Sequence, residues 1–154
     1  MQKKLVVILF FFFIIQNSIA QNIQIVKFEA LKQCLYNNSD TVYIANFFAS
    51  WCKPCIQELP EFVSFAKDIK NSKIKLVFVS VDLKKNQENL LKIVQKYSLQ
   101  NVYLLDETNA NNWINKIDKH WSGAIPATLI IKKGKRKKFI ANAISSETLY
   151  NLTK

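Results

Sequence analysis

Apolar and polar residues along the chain change period several times, and each change marks an element. Val42-Tyr43-Ile44-Ala45-Asn46-Phe47-Phe48-Ala49 is almost continuously apolar, β-branched and aromatic, which predicts a strand buried on both faces. Apolar residues then recur at Ile56, Leu59, Phe62, Val63, Phe65, Ala66 and Ile69, close to the helical period, which predicts a helix running to about Lys70. Pro54 suits its first turn, where a missing N–H costs nothing. Before these, residues 24–28 alternate as a short edge strand. Residues 29–36 read as one or two helical turns, closed by Asn37-Asn38-Ser39-Asp40. After them come a strand at 75–81, a helix at 86–97, a brief strand at 102–105 and a short helix at 109–117. Strands at 127–131 and 139–144 follow, joined by a turn at Gly134. A terminal helix at 146–153 carries Glu147 in its first turn. This order predicts an α/β fold, a central mixed sheet with helices on both faces.

The N-terminus follows a different pattern. Two lysines precede an unbroken apolar run from Leu5 to Ile15, and Ser18-Ile19-Ala20 offers small residues for cleavage. That layout predicts a secretory signal over residues 1–20 and one domain over 21–154. The run is shorter than the roughly 20 residues that span a bilayer, although a retained anchor is the alternative. An exported domain meets an oxidising or weakly buffered compartment, where disulfide chemistry is permitted.

Charge adds little to this picture. The 154-residue chain carries a formal net charge of +11, almost all of it lysine. Such a surface keeps a protein soluble and leaves contact with an anionic membrane surface open. The basic run Lys132 to Lys138 holds no aromatic residue to stack a base, so no nucleic-acid partner is expected.

The candidate chemistry lies where strand meets helix. Cys52 and Cys55 sit three apart at a helix N-terminus, where unpaired amides and the positive dipole end stabilise a thiolate, and Lys53 adds a cation. This is a dithiol suited to cycling with a disulfide. Cys34, beside Leu31 and Leu35, reads as a buried small hydrophobe. His120 reads as a loop residue. Cys34, Cys52, Cys55 and His120 together could supply four soft ligands, but no second paired motif supports a metal site, and none is expected. From the residues alone, Trp51 is a surface cover or a core aromatic, Pro126 an ordinary strand-start proline, and Glu58 a first-turn glutamate facing the helix dipole.

Phe47-Phe48-Ala49-Ser50-Trp51-Cys52-Lys53-Pro54-Cys55 with Glu58-Leu59-Pro60, and later Gly123-Ala124-Ile125-Pro126-Ala127-Thr128, resemble exported thioredoxin-like thiol–disulfide oxidoreductases of the TlpA/ResA type. The resemblance covers about residues 42–144 and implies a thioredoxin fold with no cofactor beyond the cysteines. It implies that Cys52 attacks a protein disulfide and Cys55 resolves the mixed disulfide, the pair closing as a disulfide between turnovers. It makes Trp51 a cover over the dithiol, Pro126 a cis proline, and Ile125 the residue whose backbone meets the substrate main chain. In classical thioredoxins an aspartate stands six residues before the first cysteine. Here Asn46 holds that place, and the resemblance gives Glu58 the proton-tuning role. It also implies a monomer recharged by a membrane-embedded thiol donor, with protein disulfides such as those of apocytochromes as substrates. A metal-delivery module and a thiol peroxidase are the competing readings, and the Pro-x-x-x-Thr-x-x-Cys pattern of the peroxidase is absent.

Overall fold

The apolar run at residues 42–49 lies inside the sheet, between two neighbouring strands. In the computed structural model, which describes residues 23–70 and 72–153, six strands assemble: β1 (Ile23–Val26), β2 (Val42–Phe48), β3 (Ile74–Ser80), β4 (Val102–Leu105), β5 (Ala127–Lys132) and β6 (Lys135–Ile140). Their order is β1-β4-β3-β2-β5-β6. The first four are mutually parallel, whereas β5 runs antiparallel to β2 and β6 antiparallel to β5, so the sheet is mixed. The apolar runs of β2 and β3 suit parallel strands covered on both faces.

Helices α1 (Phe28–Leu35), α2 (Lys53–Asp68), α3 (Gln87–Tyr97), α4 (Ile114–Ile117) and α5 (Ser146–Thr153) supply that cover. Alternation along β2 sends Ile44 and Phe48 to one core with Leu59, Phe62 and Phe65 of α2. It sends Ala45 and Phe47 to the other with Leu31, Trp113 and Trp121. Helix α5 is tied to α2 at three points. The Ser146 N–H donates to Glu61 Oε2 at 2.8 Å, the Tyr150 hydroxyl donates to Asp68, and the Tyr150 ring lies edge-on to Phe65. Ser145 Oγ caps α5 by accepting from the Thr148 N–H.

Two segments depart from the sequence reading. The last strand was expected at 139–144 but runs over Lys135–Ile140, immediately after a two-residue turn. Lys133 and Gly134 both have positive φ, the pattern of the tight hairpin turn that matches strand twist. The lysine run is therefore an edge strand, a place where charge blocks strand-to-strand association. A Cβ at Gly134 would lie 2.9 Å from the Tyr36 carbonyl oxygen, so Gly134→Ala should cost about 1–2 kcal/mol or more in a urea melt. The helix expected at 109–117 divides into a 3₁₀ turn at Ala110–Asn112 and the single turn of α4. Asn109 Oδ1 caps the first by accepting from the Asn111 N–H, and Trp113, whose φ of −140° lies outside the helical range, separates the two. The signal segment assigned to residues 1–20 lies outside the described residues.

Candidate active site

The C-terminal end of β2 and the N-terminus of α2 bring the dithiol to the C-terminal ends of the parallel strands. The Cys52 N–H closes a turn onto the Ala49 carbonyl at 3.1 Å, and Cys52 is the N-cap of α2. Its Sγ accepts from the Cys55 N–H at 3.3 Å, which points an unpaired helix amide at the sulfur. Cys52 and Cys55 are joined as a disulfide. Cys52 keeps 5% of its surface exposed and Cys55 none, so any partner disulfide meets Cys52 first. Trp51, 65% exposed, stands beside it at the surface and is not a core aromatic.

Opposite the dithiol, β5 pairs Ala127 with Phe47, which places the preceding loop against the end of β2. The Ile125–Pro126 peptide is cis. The Ile125 carbonyl oxygen is 3.8 Å from Cys52 Sγ. In the disulfide that sulfur carries no hydrogen, so this is a contact that only the dithiol form can turn into a hydrogen bond. Trp121 anchors the loop from below. Its Nε1–H donates to the Ala124 carbonyl at 2.8 Å, and its ring packs on Phe47, Trp113 and Phe139.

Glu58 lies one helical turn beyond Cys55 and is buried. Its Oε1 accepts from Asn46 Nδ2 at 2.7 Å and its Oε2 from the Ile144 N–H at 2.9 Å. Burial pushes the carboxyl above its ordinary value, and these two hydrogen bonds pull part of the way back. Because the folded value is raised, the folded protein binds the proton more tightly than the unfolded chain. Stability therefore falls as pH climbs from the ordinary carboxylate value of 4.5 through the raised one. Glu58→Gln should flatten that fall, which urea melts across the same pH range will read. Asn46 also lies 3.4 Å from Thr128 Oγ1, linking α2, β2 and β5 beneath the dithiol.

A second buried carboxylate was not visible as part of a site in the sequence. Asp82 follows the end of β3, and its Oδ2 accepts from the Ser50 N–H and the Ser80 hydroxyl, its Oδ1 from the Ser50 hydroxyl, each at 2.8 Å. Polar residues ending an apolar strand beside the one that leads into the dithiol were the only signal.

Cys34 is set apart from this cluster. It lies half-buried on α1, within 3.6 Å of the Tyr103 hydroxyl, in the core on the opposite face of the sheet. Burial, with help from Cys34, pushes Tyr103 up to about 12. His120 sits on the loop after α4, its N–H donating to Asp118. The four soft side chains considered from sequence thus do not converge, and among the described residues no three His, Cys, Asp or Glu side chains group as metal ligands.

Residues 19–138 match the AhpC/TSA family. The chain belongs to that family. This AhpC/TSA protein is similar to the thiol-disulfide oxidoreductase ResA of Geobacillus thermodenitrificans, with 26% identity over 105 residues, 68% of this chain and 56% of the relative. The chain spans between 25% and 56% of the length of the curated relatives it matches. The crystal structure of StoA from Bacillus subtilis superposes with a TM-score of 0.59 at 26% identity, over 76% of this chain and 85% of that one. A thiol:disulfide interchange protein of the thioredoxin family from Chlorobium tepidum gives a TM-score of 0.62 at 20% identity, over 78% and 81%. The AhpC/TSA protein thus has the thioredoxin fold, and Cys52–Cys55 lies at the C-terminal ends of its parallel strands, where such sheets place their ligands.

Proposed function

We propose that the protein is an extracytoplasmic thiol–disulfide oxidoreductase that reduces disulfides in other proteins. The observation that carries this reading is the asymmetry of the pair, Cys52 on a helix N-cap with 5% of its surface reaching solvent and Cys55 fully buried behind it. In the reduced form the Cys52 thiolate attacks one sulfur of a substrate disulfide. A Cys52–substrate disulfide forms, and the displaced sulfur leaves and takes up a proton. The Cys55 thiolate then attacks Cys52, the mixed disulfide breaks, and the second substrate sulfur leaves as a thiol. Two electrons pass to the substrate, and the protein is left with the Cys52–Cys55 disulfide. A membrane-embedded thiol donor returns the pair to the dithiol.

The remaining site residues fit around this exchange. Trp51 and the Ile125 backbone flank the attacking sulfur, and Pro126 sets the chain direction of the loop that meets the substrate. Glu58, raised by burial, accepts the proton that Cys55 gives up before it attacks. Glu58→Gln should therefore alter the pH–rate profile as well as the stability profile. The sequence pattern of residues 1–20 supports export, and apocytochrome cysteines are one substrate class that such a reductase would serve.

Insulin reduction driven by dithiothreitol, run beside peroxide consumption by the same preparation, tests the reading. Catalysed insulin reduction without peroxide turnover is the expected result. Peroxide consumption without insulin reduction would assign the chain to the peroxidase reading.

A further inference from the structure

The turn that carries Trp51 and Cys52 away from β2 is held by one side chain. Among the described residues, Asp82 supplies the only side-chain hydrogen bonds to residues 49–51, both to Ser50. Asp82 is 3% exposed, and Lys84, two residues on, is engaged instead by Asp106 at 2.9 Å. Its carboxylate is thus satisfied by neutral donors. The direction of each bond is fixed: Ser80 Oγ accepts from the Asp82 N–H at 3.0 Å, so its own proton is free to point at Oδ2. Three donors therefore converge on two acceptor oxygens. An amide of the same shape would offer one oxygen and turn an NH₂ group against a donor.

We propose that Asp82 is a positioning residue for the dithiol, fixing the Ser50–Cys52 turn so that Cys52 Sγ stays on the Cys55 N–H. The inference rests on Cys52 being the reactive sulfur. The contact it protects is 3.3 Å long, a well-formed N–H···S distance, and it holds only while the turn keeps Cys52 at the N-cap. Two exposed apolar side chains flank the clamp: Trp51 follows Ser50, and Leu83, 52% exposed, follows Asp82.

Charge and position act in opposite directions, which makes the inference testable. If Asp82 mattered only as a nearby negative charge, removing it would lower the thiol pKa of Cys52. If it mattered only for folding, the thiol of a folded variant would not change. As a positioning residue, its loss weakens the helix amide's hold on the thiolate and raises that pKa.

The experiment is peptide-resolved alkylation of reduced protein by iodoacetamide across pH, with wild type, Asp82→Ala and Ser50→Ala compared. Asp82→Ala should raise the Cys52 thiol pKa by about one unit and slow its alkylation at neutral pH about tenfold. Ser50→Ala, which keeps both the carboxylate and the backbone bond, should shift both in the same direction by less. An unchanged or lowered Cys52 pKa in folded Asp82→Ala overturns the proposal. If that variant does not fold, Ser50→Ala decides on the same sign. Alkylation needs only a thiolate, so a wild type that fails to reduce insulin would sink the oxidoreductase reading and leave this comparison intact.

Discussion

Cys52→Ser should abolish disulfide reduction, a loss on the order of a thousandfold or more, because a serine hydroxyl at that position has no thiolate to attack with. Cys55→Ser should behave differently. Its Cys52 still attacks, but nothing behind it can resolve the product. The free cysteine, Cys34, lies on the far face of the sheet. The variant should therefore accumulate mixed disulfides with its substrates, visible as adducts on non-reducing gels and by mass spectrometry. Adducts appearing with Cys52→Ser instead would reverse the roles of the two cysteines. Their absence from Cys55→Ser in cells would argue against a protein-disulfide substrate.

Trp121→Ala should be the most damaging substitution outside the dithiol, costing about 3–5 kcal/mol of stability. Its ring meets Phe47, Trp113 and Phe139 with centroids 5.1, 5.4 and 5.2 Å away, so truncation opens a cavity among large rigid neighbours that cannot close around it. The change also frees the Ala124 carbonyl and with it the loop that brings Ile125 to Cys52. Trp121→Phe separates the two effects. It keeps most of the packing and loses the hydrogen bond, at about 1 kcal/mol. Activity in Trp121→Phe should fall further than that loss of stability explains. A urea midpoint for Trp121→Ala close to wild type would show that the aromatic cluster is not the support of the loop.

The parts of the fold that were legible in the sequence are those with a buried face to announce them. The strand at Val42–Phe48 and the helix from Lys53 could be placed almost to the residue, because continuous apolarity and then helical spacing leave few alternatives. Strand β6 was misplaced for the opposite reason. The turn at Gly134 was legible, but Lys135, Arg136, Lys137 and Lys138 are all exposed on the sheet edge and show no apolar alternation, so nothing in the sequence marks the strand as starting directly after that turn. At the site the division is similar. Cys52 and Cys55 declare themselves by spacing on one helix, whereas Glu58 was singled out only by the family resemblance. Ser50, Ser80 and Asp82 are each unremarkable in sequence and become a unit only when β2 and β3 pair, with Phe48 opposite Ser80. The partner of Glu58 on β2, Asn46, was legible as a substitution, but its hydrogen bond to the carboxylate depends on α2 lying across the strand.

The reduction potential of the Cys52–Cys55 pair, measured by equilibration against glutathione or dithiothreitol buffers, tests the central claim most directly. A dithiol that reduces protein disulfides should equilibrate in the reducing range, towards about −270 mV, whereas a value near about −120 mV would make the pair an oxidant and contradict the account.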